Sequence, residues 1–104
     1  MIWDFKELEL TPDQIASIKQ VVNSLQQRLE QLRARLEARK QEYQVMLTRN
    51  DALEKLRAKL QEIAALQVDM QMADVESSRA INAVMTPQQL LKWHELQKAA
   101  STPH

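Results

Sequence analysis

Apolar residues at Ile15, Ile18, Val22, Leu25, Leu29, Leu32 and Leu36 recur at alternating intervals of three and four, the spacing that lays one continuous stripe along an α-helix. Tyr43 and Met46 continue in phase, and the single interruption is Arg39. The spacing therefore predicts one helix over about residues 12–47, with Arg39 as a seam residue that snorkels its charge to water. Residues 48–51 (Thr-Arg-Asn-Asp) break the pattern with side chains that bond their own backbone. Asp51 with Glu54 three places on has the form of a capping box, so a second helix is expected from there. Its stripe reads Leu53, Leu56, Leu60 and Ile63, then slips phase through Leu66, Met70, Ala73 and Ser77 before Ile81 and Val84. That half is expected to pack less regularly than the first.

A bend near residue 49 makes an antiparallel hairpin with arms of roughly 55 Å, and counting along them brings Thr11 and Thr86 to the same end. Glycine is absent from all 104 residues, which argues against a sheet-based fold, because tight hairpins and bulges need a residue that tolerates positive φ. The expected fold is all-α: a long antiparallel helical hairpin plus a short C-terminal helix, in a single domain spanning the chain with its core over about residues 10–97. Two helices that bury one stripe each hide little surface. An elongated, curved homodimer is the expected remedy.

The remaining composition narrows the function classes. Lysine plus arginine balances aspartate plus glutamate, 14 against 14, so no general excess of positive charge tracks a phosphate backbone and nucleic acid is not an expected partner. The longest uncharged run, residues 80–91, is too short for a membrane span and contains Pro87. Without cysteine there is neither a disulfide framework nor a thiolate nucleophile, and without glycine there is no phosphate-cradling loop. No histidine stands where a hydroxyl and a carboxylate complete a triad. An enzyme is not expected, nor is a cofactor.

One short motif occurs twice, as LTPDQ at residues 10–14 and MTPQQ at residues 85–89. Thr11 and Thr86 suit the N-cap, Pro12 and Pro87 the first helical position, and Gln14 and Gln89 the third, from which a side chain bonds back to the cap. Leu10 with Ile15, and Met85 with Leu90, are spaced as hydrophobic staples. Two readings stand: the motifs only start helices, or the two copies also bind each other's loops and lock the hairpin's open end. Either role is architectural.

The pair resembles the LTxxQ hallmark of the bacterial periplasmic Spy and CpxP family, which includes zinc-associated ZraP-like and metal-sensing CnrX-like proteins. Leu10, Thr11 and Gln14 match fully, Thr86 and Gln89 match the second copy, and Met85 replaces its leucine. The resemblance covers about residues 10–97. It implies a curved all-helical homodimer in the periplasm, its export leader no part of the sequence as it stands. For Spy-like members it implies an ATP-independent chaperone that cradles unfolded or partly folded clients. The strongly basic cradle of such members is not matched here. A local cluster of Arg28, Arg33, Arg35, Arg39 and Lys40 is nonetheless a candidate client surface with Met70 and Met72, set against the ordinary reading of a solvated helical face. Asp69, Asp74 and Glu76 form an opposing acidic stretch.

Metal binding finds fewer ligands. Where the metal-sensing branch offers a histidine and a methionine before the second motif, this chain has Ser77 and Ile81, so that site is not carried over and no metal ligand is assigned. His94 lacks a second histidine four places on, where Lys98 stands. Met46, Met70, Met72 and Met85 at helical spacing are read as adaptable packing. Ile2, Trp3 and Phe5 before the first motif, and Leu90, Leu91, Trp93 and Leu96 after the second, are expected to close the open end or to meet clients, with Trp93 in the core. The leading expectation is a periplasmic holdase. Its rivals are an envelope stress or heavy-metal sensor and a plain coiled-coil scaffold.

Overall fold

The computed structural model of the chain describes residues 8–101, with side chains over residues 8–98; Ile2, Trp3, Phe5 and His104 lie outside that range. Three helices follow in order: α1 over Pro12–Thr48, α2 over Leu53–Val84 and α3 over Pro87–Ser101. Among the described residues there is no strand, and no helix is long and apolar enough to cross a membrane. The chain is all-α. It divides into two compact units, one made of residues 8–23 and 77–101 and the other of Ser24–Glu76.

In the first unit Leu8, Ile18, Ile81 and Met85 form a buried cluster, and Leu10, Val21, Val22, Leu90, Trp93 and Leu96 pack against it half-buried. Ile18 at 1% exposure is its centre, and fully burying a side chain of that size stabilises by about 1.5–3 kcal/mol. Leu8 is the contributor that sequence reading missed. It stands alone between charged neighbours, Glu7 and Glu9, so no periodicity marks it. Leu91 is 68% exposed, because α3 turns its stripe of Leu90, Trp93 and Leu96 inward and Leu91 lies beside that stripe.

The second unit is an antiparallel pair of helix segments closed by a tight connection. The end of α1 is a Schellman motif: Asn50 N–H donates to the Leu47 carbonyl (3.1 Å) and Asp51 N–H to the Met46 carbonyl (3.0 Å). Asn50 takes the left-handed φ of 58° that this motif requires. Asparagine tolerates it better than other residues with a Cβ, which lets a glycine-free chain stop a helix sharply. The capping box expected at Asp51 is not the cap observed. The Ala52 carbonyl accepts the first helical bond, from Leu56 N–H, and the Asp51 carboxylate is engaged by Arg49 at 2.9 Å. Its position one residue too early, and a cationic neighbour, account for the difference.

The α1 stripe is buried or half-buried at every expected position from Ile15 through Met46, Arg39 included. On α2 the expected stripe needs correction. Leu53 is 83% and Leu60 45% exposed, whereas Lys59 is half-buried. With Lys59 in place of Leu60, the seam runs Leu56, Lys59, Ile63, Leu66, Met70, Ala73 and Ser77 at unbroken intervals of three and four. The phase slip disappears. A polar residue on the seam beside an apolar one off it had shifted the reading by one position.

Candidate functional site

Both motif copies cap their helices in full. Thr11 Oγ1 accepts from Gln14 N–H (3.1 Å) while Gln14 Oε1 accepts from Thr11 N–H (2.9 Å). The second copy repeats this between Thr86 and Gln89 at 3.2 and 2.9 Å. These are reciprocal capping boxes, each satisfying two backbone donors that a helix start leaves open. Pro12 and Pro87 occupy the first helical positions, where a missing N–H costs nothing.

The two copies are also joined to each other. Gln14 Nε2 donates to Gln89 Oε1 at 2.9 Å, and Gln89 Nε2 donates to Gln14 Oε1 at 3.2 Å. The spare N–H of each amide goes to backbone outside its own motif: Gln14 to the Val84 carbonyl (2.9 Å), and Gln89 to the carbonyls of Leu8 (3.2 Å) and Glu9 (3.4 Å). Each carboxamide thus uses both lone-pair positions and both hydrogens. The orientation is fixed without ambiguity, since backbone N–H groups face the oxygens and carbonyls face the nitrogens. A carboxylate at either position could not replace it, having no hydrogen to give Val84 or Leu8. Holding the Leu8 carbonyl also fixes the turn in which Glu9 adopts φ 51°, a conformation that costs roughly 1–2 kcal/mol for a residue with a Cβ. Met85 belongs to the buried cluster, at the position that Leu10 holds in the first copy.

The second unit carries the charged candidates. Arg28, Arg33, Arg35 and Lys40 are exposed along α1, and Arg39 is half-buried. Arg28 and Arg35 each precede a seam residue, as do Glu62, Asp69 and Glu76 on α2. In an antiparallel pair those rows border the same edge of the seam. Arg33, Lys40 and Asp74 each follow a seam residue and border the opposite edge.

Near the connection, Lys59 Nζ bridges Glu42 and Glu62 at 2.8 Å each, and Arg39 pairs with Glu42 at 2.6 Å. Hydrogen bonds from Lys59 and then Arg39 hold the Glu42 carboxyl below its ordinary value. Bonds to Glu42 and Glu62 push Lys59 up. Beside this network an open groove of about 800 Å³ is lined by Val45, Met46 and Arg49 among others. On the opposite edge a second groove of about 690 Å³ is lined by Tyr43, Leu53, Arg57 and Leu60.

Met72 is 48% exposed on the outer side of α2, while Met70 is half-buried in the seam. Of the two methionines, Met72 alone is presented outward. His94 is exposed on α3. Among the described residues no three His, Asp or Glu side chains cluster to hold a metal ion.

Fold and site together define an all-α hairpin protein whose two motif copies meet through paired glutamines. The chain matches no protein-family model, no curated protein and no solved structure.

Proposed function

We propose that this chain is a periplasmic, ATP-independent holdase, active as a homodimer, that binds exposed segments of unfolded or partly folded proteins on its helical surface and is not an enzyme. The observation that carries the reading is apolar surface left outside the fold. Val45, Leu47, Leu53, Leu60, Val68, Met72 and Val75 of the second unit are all exposed, whereas only Leu32, Ile63 and Ala73 are buried there. Leu53 and Leu60 line one groove with Tyr43, and apolar side chains exposed together on a folded domain mark an interaction surface. The edge bearing Tyr43, Leu53 and Leu60 also has Arg57 and Glu54, a mixture suited to segments that are both apolar and charged. The compartment and the client class come from the resemblance to the Spy and CpxP family.

The test is suppression of aggregation of an unrelated unfolding client, without ATP, at substoichiometric to equimolar ratios and at low and high salt. Suppression near equimolar ratio is expected, weakening with salt where the cations contribute. Absence of suppression at every ratio would remove the holdase reading.

A further inference from the structure

Leu8 enters the buried cluster of the first unit from outside α1, α2 and α3. Its side chain is 3% exposed and packs with Ile18, Ile81 and Met85, whereas Glu9 beside it is exposed and Leu10 half-buried. The bonds that Gln89 Nε2 gives this stretch are long, 3.2 Å to the Leu8 carbonyl and 3.4 Å to the Glu9 carbonyl, at or past the far end of the usual N–H···O range. One amide hydrogen serves both carbonyls, because the other goes to Gln14 Oε1. Glu9 is meanwhile kept at φ 51°, a strained conformation for a residue with a Cβ. The next step along the chain is firm: the Thr11 and Gln14 capping box closes α1 through bonds of its own. Residues 8–10 can therefore leave the cluster without unwinding the helix that follows.

The cluster and Gln89 read little of the sequence they hold. They take one leucine-sized apolar side chain and two successive backbone carbonyls, and every peptide carries carbonyls.

We propose that the place filled by Leu8 is a binding site for extended peptide segments, occupied in the resting fold by the chain's own residues 8–10, and that the strain at Glu9 sets how readily they yield it. An entering segment puts a leucine-sized side chain against Ile18, Ile81 and Met85 and gives its carbonyls to Gln89 Nε2. Tethering raises the effective concentration of the resident segment, so the unaltered chain binds a short peptide weakly. The inference concerns the first unit alone and does not rest on the holdase reading, whose apolar surface belongs to the second.

Full-chain variants at position 9 bias the exchange and leave the site itself intact. Valine opposes closure, because a β-branched residue is an outlier at positive φ, and glycine removes the strain. The probe is an acetylated peptide with the sequence of residues 6–11, titrated while the methyl resonances of Ile18, Ile81 and Met85 are followed. Apparent affinity scales with the fraction of chains whose site is open, so E9V should bind about tenfold more tightly than the unaltered chain and E9G several-fold more weakly. The same peptide with L8A should leave those resonances in place. Glu9 is exposed, and circular dichroism checks that each variant folds; should E9V unfold, weakened binding by E9G is the deciding result. The site is overturned if the resonances stay put in folded E9V with peptide up to about 10 mM, above the effective concentration of a short tether. Equal binding by the two variants, or equal shifts from the L8A peptide, overturns it as well. Aggregation suppression on the same samples bears on the holdase reading alone.

Discussion

At positions 14 and 89 the side-chain amide is the required group, and size or polarity alone would not serve. Alanine at Thr11 removes one cap bond and is expected to cost about 1 kcal/mol. Alanine at Gln14 or Gln89 removes a cap bond and also strands the partner amide and a backbone carbonyl, so about 2–3 kcal/mol is expected from each. Because both lose the same pair of bonds, Q14A/Q89A should cost less than the two added, with a coupling of about 1 kcal/mol in urea unfolding. Strict additivity would mean two independent caps. How much of this was legible follows from the range of each interaction. The caps are local, spanning three residues, and the sequence predicts them. The amide pair joins residues 75 apart, so spacing could offer it only as one of two readings. Leu8 had no signal: it packs with Ile18, Ile81 and Met85 while Gln89 holds its carbonyl, contacts made far along the chain.

At the scale of elements, α1 shows how far periodicity carries, since every stripe position from Ile15 to Met46 lies at least half-buried. The reading failed on α2 at one place, where Lys59 takes the seam and Leu60 does not. Hydrophobicity alone cannot anticipate that choice, because Glu42 and Glu62 on either side of Lys59 supply the partners that make a seam cation tolerable. That network sets a pH response. Glu42 is depressed, so its contribution to stability is present above the ordinary carboxylate value and is lost as pH falls through its lower folded value. Lys59 is raised, so its contribution is present below the ordinary lysine value and is lost as pH rises through the higher one. Thermal unfolding should thus be flat through neutral pH and decline at both extremes. E42Q should flatten the acid limb; an unchanged acid limb in that variant would show that other carboxylates control it.

For the whole molecule, the limiting quantity is apolar burial. The first unit has a connected cluster, while the second buries Leu32, Ile63 and Ala73, and small domains with so little inside are marginal alone. If copies associate, mass action adds to stability, and the melting temperature should climb by a few degrees between about 5 and 500 μM protein. A melting temperature independent of concentration would mean each chain is stable unaided. The all-α architecture was legible from the missing glycine and the stripe. The division into two units was not, because nothing in the periodicity changes where one ends at residue 23 and the other begins.

The paired glutamines have an evolutionary corollary. Each amide completes the other, so a change at either position leaves its counterpart with unmet valences and no local repair. Descendants of this chain would have to exchange the two together or keep both.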